Sequence, residues 1–285
     1  MSPPAIHVPD KHLTVSSVKE TMAASFARMF PGKNPTIWPR ALRDVESMFE
    51  GRYLDYQAND TPYHNLQHTL QVIVCFCAIM EARHHAGIEP HLTSRQQELG
   101  AIAVLFHDTG YLKLRADTGG TGAKYSFTHV LRSCSFASSY LPSLGVNLAE
   151  LDSVLAMIRC TALTQGARHF HFQDPVLGIS GCAVATADYL AQMAAPDYPE
   201  SLKHLFAEIE ESDNYAQVPE RQRRYRSCEA LVADTPAFWQ SFVLPRLEGE
   251  LLGVYRFLAT PYPDGPNPYI QAIEANIERI KRLKG

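Results

Sequence analysis

Apolar side chains recur at helical spacing along nearly the whole chain, and this periodicity constrains the fold more than any other feature. Residues 15–30 place Val18, Met22, Phe26 and Met29 or Phe30 on one stripe, with Ser16 or Ser17 at the N-cap position. Pro31-Gly32-Lys33-Asn34-Pro35 ends that stripe. A second helix is predicted from Pro39, a good first-turn residue, to about Tyr56, before a turn at Asn59-Asp60-Thr61-Pro62. Further helices are predicted over about 65–86, 94–107, 125–141, 148–163, 174–194, 199–213, 235–259 and 266–283. Alternating β-branched runs between hairpin turns are nearly absent. The chain therefore reads as all-α, with a flexible N-terminus over 1–14 and a single helical domain over 15–285.

Composition narrows the function classes. With 285 residues, 46% of them hydrophobic, the chain can bury a sizeable core, which excludes wholesale disorder. Its 26 basic and 30 acidic side chains give a net charge of −4, so no basic excess favours specific nucleic-acid binding. The longest apolar run, Val72 to Met80, is far too short for a bilayer. The first residues contain no apolar segment of the signal-peptide kind, so no signal peptide is expected. Six scattered cysteines without a CxxC pair read as buried thiols in a reducing cytoplasm. Neither a membrane protein nor a disulfide scaffold fits.

Twelve histidines are the compositional oddity, and three segments concentrate the interest. In Tyr63-His64-Asn65-Leu66-Gln67-His68, the two histidines share a helix face if the helix has begun at His64. In Leu105-Phe106-His107-Asp108-Thr109-Gly110-Tyr111, a carboxylate closes an apolar run, where an unpaired charge is costly. Asp188 stands alone in the apolar stretch Ala185–Leu190 and needs a cation, an arginine or several N–H donors. Singly, each is most simply a satisfied structural residue. As an ordered set, two imidazoles and two carboxylates suit a divalent cation with open positions. A carboxylate between two such ions can bridge them, and paired ions activate water toward a phosphoryl group.

These residues resemble the HD-domain metal-dependent phosphohydrolases: Tyr63-His64-Asn65-x-x-His68, then Phe106-His107-Asp108-x-Gly110, then Ala187-Asp188. The first motif and Ile158-Arg-Cys-Thr161 are most similar to the cyclic-nucleotide phosphodiesterase branch. The resemblance spans about residues 60–195, leaving helices 15–57 and 199–283 as flanks. It implies a helical bundle around a mono- or dinuclear site. His68, His107, Asp108 and Asp188 would hold the first ion, with Asp108 bridging to a second. His64 would protonate the leaving oxygen as general acid while metal-bound hydroxide attacks phosphorus. An imidazole beside the ligands suits that role near neutral pH. The ions would be one or two of Zn, Mn, Fe, Ni or Mg, since ligand type alone does not choose.

Other positions carry weaker expectations. His129, at a helix start, matches the place where many HD proteins supply a histidine to the second ion; the alternative is an exposed helix-start residue. His169 or His171 could swing toward the metals or form a surface pair, while His84, His85 and His91 read as solvated. Tyr63, Lys113 and Gln240 are candidates for substrate binding, Gln240 with Phe242 as a base clamp whose spacing is not the family's. Lys113, Arg115 and Lys124 read more simply as loop charges, and Arg221–Arg226 as a solvated face. Asp117–Lys124, glycine-rich without the P-loop spacing, reads as a flexible connection. After His107-Asp108 the phosphodiesterases usually carry another histidine; here Thr-Gly-Tyr-Leu-Lys follows, nearer the bacterial HD hydrolases.

The leading expectation is a phosphodiesterase acting on a small-molecule phosphoester, a cyclic or other nucleotide. A nucleotide phosphomonoesterase is one alternative. Another is an HD-fold di-iron oxygenase, which His129 would favour and Thr161, standing where such a site wants histidine, would not. A helical domain that binds without turnover is the third. A homodimer through an exposed apolar flank stays open.

Overall fold

In the computed structural model, which describes residues 6–9, 12–162, 172 and 174–282, the apolar stripes become helices packed around one core. Helix α1, Val15–Met29, buries Val18, Met22, Phe26 and Met29. Its cap is Thr14, whose hydroxyl accepts from Ser17 N–H while Ser17 returns the bond. Ile6, Val8 and Leu13 pack against the core, and Leu13 exchanges two hydrogen bonds with the Gln67 side chain.

Helix α2, Trp38–Phe49, stops well short of Tyr56. Gly51 turns the chain at φ +72°, and a Cβ there would meet the Ala58 nitrogen at 2.4 Å. Only glycine allows both the turn and the close approach. The start of α2 is capped from a distance by buried Glu98. Its carboxylate accepts from the backbone N–H groups of Thr36 and Ile37 at 2.7 Å and from the Thr36 hydroxyl at 2.9 Å.

The centre is built from α3 (Leu66–His85) and α4 (Ser94–Phe106), joined after α5 (His129–Tyr140) by α6 (Leu148–Arg159) and α7 (Pro175–Ala194). Helices α3, α4 and α7 touch one another pairwise and are apolar nearly all round, as interior helices are. Outside them lie α8 (Tyr198–Tyr215), α9 (Cys228–Phe238), α10 (Leu244–Glu248) and α11 (Pro268–Arg282). Helix α11 packs on α7, α8 and α9.

Several boundaries differ from the sequence expectation. The segment predicted as one helix over 235–259 begins earlier, at Cys228, capped by the Ser227 hydroxyl. It widens into a π turn at Trp239–Val243 and ends at Glu248. Pro245 has no N–H for the carbonyl four residues back, and Leu252 and Gly253 at positive φ end the run. The helix predicted over 125–141 starts only at His129, after a short 3-10 turn at Gly122–Tyr125. The glycine-rich segment is tied down rather than flexible: Lys113 donates to the Gly120 carbonyl and Lys124 to that of Gly119. Glu211 accepts from the backbone N–H and hydroxyl of Thr121, and Asp60 from Gly122 N–H at 2.7 Å. Among the described residues there are two isolated bridges and no named strand, so the fold is all-α. No described helix is long and apolar enough to cross a membrane.

Glu98→Ala removes the acceptor of several buried donors at once, and each such loss costs on the order of 1–3 kcal/mol. Denaturant unfolding should show a loss of about 3 kcal/mol, with Glu98→Gln in between because it keeps one oxygen. Equal stability of all three proteins would contradict this capping role.

Candidate metal centre

The three interior helices bring the predicted cluster together. His68 lies in the first turn of α3, where the Asn65 side chain accepts from His68 N–H and fixes the helix start. His107 caps the end of α4, Asp108 follows it into a 3-10 turn at Thr109–Tyr111, and Asp188 projects from α7. One atom each from His68, His107 and Asp188 lies within 4.8 Å of the others. Nε2 of His68 is 3.1 Å from Asp188 Oδ1 and 3.4 Å from Asp108 Oδ2. Nε2 of His107 is 3.2 Å from Asp108 Oδ2, 3.4 Å from His68 Nε2 and 3.7 Å from Asp188 Oδ1.

Backbone carbonyls determine which nitrogen faces inward. His107 Nδ1 sits 2.7 Å from the Val104 carbonyl, and His129 Nδ1 2.6 Å from that of Ser126. A carbonyl only accepts, so each Nδ1 carries a proton and Nε2 is the nitrogen turned toward the carboxylates. His129 Nε2 lies 3.9 Å from Asp108 Oδ1, on the other oxygen from the one His68 and His107 approach. Asp108 thus stands between the His68–His107 pair and His129, and its buried Oδ2 has no hydrogen-bond partner.

This arrangement asks for positive charge. Burial alone would lower the His107 pKa, yet Asp108 and Asp188 raise it well above the ordinary value. Burial would raise both carboxylates, and the surrounding imidazoles pull them below their usual range. Three N and O donors within 4.8 Å of one another, with the orphaned Asp108 Oδ2 beside the two imidazoles, fit a divalent ion. His129 could serve a second ion that shares Asp108.

Gly110 makes the close packing around Asp108 feasible. A Cβ there would meet the His129 carbonyl oxygen at 2.0 Å. The Ser133 hydroxyl accepts from Gly110 N–H at 2.9 Å and donates to the His107 carbonyl, locking the turn onto α5.

His64 stands beside this cluster just before α3 begins. Its Nδ1 is 2.5 Å from Oε2 of Glu208, a buried carboxylate on α8 whose Oε1 accepts from Tyr63 N–H at 2.6 Å. The His64 and His129 rings each stack on Tyr111 at 4.7 Å between centroids. Burial lowers the His64 pKa, and the Glu208 charge outweighs it, leaving the ring above the ordinary histidine value.

An adjoining cavity of about 340 Å³ is lined by His64, Asp108, His129 and Asp188 at one end. Leu202, Leu205 and Ile209 of α8, with Leu231 and Phe238 of α9, form apolar walls. Tyr63 lies behind the site, its hydroxyl donating to Gln192 Oε1 at 2.8 Å, while Gln192 Nε2 donates to the Asp188 carbonyl at 3.0 Å. Lys113 does not line the cavity: it is buried against Asp60 at 2.8 Å. Gln240 is exposed in the π turn, and Phe242 stacks behind Phe238 at 5.1 Å. Arg224, from the cluster expected on a solvated face, reaches the cavity lining. His169 and His171 lie outside the described residues. Glu208, Tyr111 and Gln192 were not singled out in the sequence. Tyr111 sits within a quoted motif, whereas nothing local marks Glu208 among the acidic residues of α8.

No family model and no curated protein matches this chain. Among solved structures, it is similar to the phosphodiesterase domain of Salpingoeca rosetta rhodopsin phosphodiesterase. The TM-score is 0.55 at 15% identity, covering 94% of this chain and 87% of that one. The two chains share an all-helical fold.

If the donor set holds an ion, adding Mn to metal-stripped protein should raise its melting temperature, because only the folded state presents the site. His68→Ala and Asp188→Ala should abolish that rise and the bound metal measured by elemental analysis. A stripped wild type indifferent to Mn, Fe, Zn, Ni and Mg would refute the site.

Proposed function

We propose that this chain is a metal-dependent phosphohydrolase that cleaves a nucleotide phosphodiester, such as a cyclic nucleotide, with His64 as general acid. The observation that carries the reading is the pairing of His64 with buried Glu208 beside the donor set. His107 and His129 spend Nδ1 on a neutral carbonyl, which leaves Nε2 for an ion. His64 spends Nδ1 on a carboxylate, leaving Nε2 as the nitrogen that can give a proton into the cavity. The solved neighbour, a phosphodiesterase domain, supports the same reaction class.

His68, His107, Asp108 and Asp188 would hold one divalent ion, and Asp108 with His129 would contribute to a second. Such ions, when bound, lower the pKa of water and polarise a phosphoryl oxygen. The chain's own residues do the rest. Glu208 fixes the His64 tautomer and keeps the ring protonated. The stack on Tyr111 holds its plane. The apolar walls of α8 and α9 limit water around the ester. In the net reaction one water adds to phosphorus and gives up a proton, the bond to the leaving oxygen breaks, the His64 Nε2 proton goes to that oxygen, and the proton released by the water returns to His64 through solvent. The substrate is a small-molecule phosphoester in this reading, and the metals remain one or two of Zn, Mn, Fe, Ni or Mg.

Chromatographic product analysis on metal-reconstituted protein tests this, with Asp108→Ala as the blank and a panel of cyclic and linear nucleotide diesters. His64→Ala should keep its metal and lose about 10²–10⁴ in rate, the usual worth of a positioned acid. Normal turnover by this variant would remove His64 from the mechanism.

Glu208→Gln should act through His64 rather than on the metal. The acid works while protonated, so activity fades as pH rises through its pKa, and the carboxylate keeps that pKa raised. Losing the charge should move the alkaline limb of the kcat profile to lower pH at unchanged metal content. A profile identical to wild type would mean that Glu208 does not tune the acid.

A further inference from the structure

The far end of the cavity is built differently from the metal end. Helix α8 lines it with one face, in the register Leu202, Leu205, Ile209, Ser212, and five residues beyond Glu208 that helix presents Asp213. At 1.5 Å per residue this places Asp213 about 7.5 Å along the axis from the carboxylate that holds His64. Asp213 is only 5% exposed yet lines the cavity, and among the described residues no hydrogen bond or salt bridge reaches its carboxylate. The adjacent Ser212 hydroxyl is also buried without a partner. Burial raises the Asp213 pKa, with Arg223 opposing. A buried carboxylate left without donors is costly in a folded protein, and an incoming ligand can supply them.

The neighbouring groups narrow the chemistry of that ligand. Phe238 offers an aromatic wall, steadied from behind by Phe242 at an interplanar angle of 17°. The Arg224 guanidinium already lies 5.2 Å from the Phe238 ring centroid and 5.2 Å from that of Tyr225. A cationic ligand would share that ring with a fixed positive charge, so a flat, uncharged group is favoured. The donor it needs is a pair of adjacent N–H groups, which a carboxylate accepts side by side.

Resting on the phosphodiester reading, we propose that the cavity selects a guanine base, its N1–H and 2-amino group donating to Asp213 and its ring against Phe238. Adenine presents no N1–H and would set an acceptor against the carboxylate. Hypoxanthine keeps N1–H but lacks the 2-amino group and would make one bond of the two.

Nucleosides test this without the phosphate or the metal. Ligand-observed NMR titration of the full chain with guanosine, inosine and adenosine should show guanosine binding about 10- to 100-fold tighter than either, the range for one good bidentate base contact. Asp213→Asn keeps the shape and exchanges one acceptor for a donor; it should reduce guanosine to the level of inosine. Its melting temperature, measured alongside, separates lost recognition from lost folding, and Asp213→Ser serves if the amide fails to fold. Equal affinity for the three nucleosides, no measurable guanosine binding, or a preference that survives both substitutions would overturn the proposal. Guanosine selectivity in a protein that opens no diester would instead tell against the hydrolytic reading and leave the Asp213 contact standing.

Discussion

The structure turns on a cluster of buried lone pairs that cannot satisfy one another. Nε2 of His68 and of His107 face each other at 3.4 Å, with carboxylate oxygens of Asp108 and Asp188 beside them. Apolar packing of α3, α4 and α7 drives these four groups together, because each sits on or next to a helix buried nearly all round. A proton can answer part of the demand by bridging one imidazole and one oxygen. It serves two donors at a time, whereas a divalent ion can draw on three or more. The Nδ1 bond of His107 to a carbonyl leaves its ring oriented with Nε2 toward the carboxylates.

The turn after Asp108 extends that constraint to the rest of the site. Because Gly110 lets the chain touch the His129 backbone, Asp108 and His129 are placed by one rigid contact. Ser133 bonds both Gly110 and the His107 carbonyl, so α4, the turn and α5 form a single block. Arg132 reinforces it by donating to the carbonyls of Gly110 and Leu112 at 2.7 and 2.8 Å. Tyr111, fixed by the same turn, supplies the ring on which both His64 and His129 stack. An inserted side chain at residue 110 would disturb all of these together, which gives a physical reason for glycine there.

Much of this was legible in the sequence, for identifiable reasons. Helical stripes such as Val18, Met22, Phe26 and Met29 follow from local periodicity. Asp108 and Asp188 stand out as charges that close or interrupt apolar runs, His68 by its spacing from His64, and the four as a ligand set through the resemblance to a family motif. Glu208 did not stand out, since it sits in an acidic helix and only the tertiary placement of α8 buries it. Gln240 is a candidate only through the resemblance, as a base-clamping glutamine, but the face of α9 that meets the cavity runs Leu231, Thr235, Phe238. Two residues further round, about 200° of helical turn away, a side chain faces solvent. Lys113 and Lys124 read as loop charges in the sequence, and their partners Asp60, Asp117 and the Gly119 and Gly120 carbonyls become visible only in three dimensions.

Helix α8 then links what the interior helices leave separate. It lies outside the core, yet Glu208 reaches back to hold both His64 and the backbone at Tyr63. The same helix gives the cavity its apolar wall and ends beside Ser212 and Asp213. A ligand that presses on this face therefore meets an element that also sets the position of the candidate acid. Tying Thr121 to Glu211 on that helix fixes α8 against the loop that follows the Asp108 turn. Any shift of α8 would then act on the His64–Glu208 bond and on the distal wall together, so the shape of the cavity and the position of the candidate acid depend on one helix position.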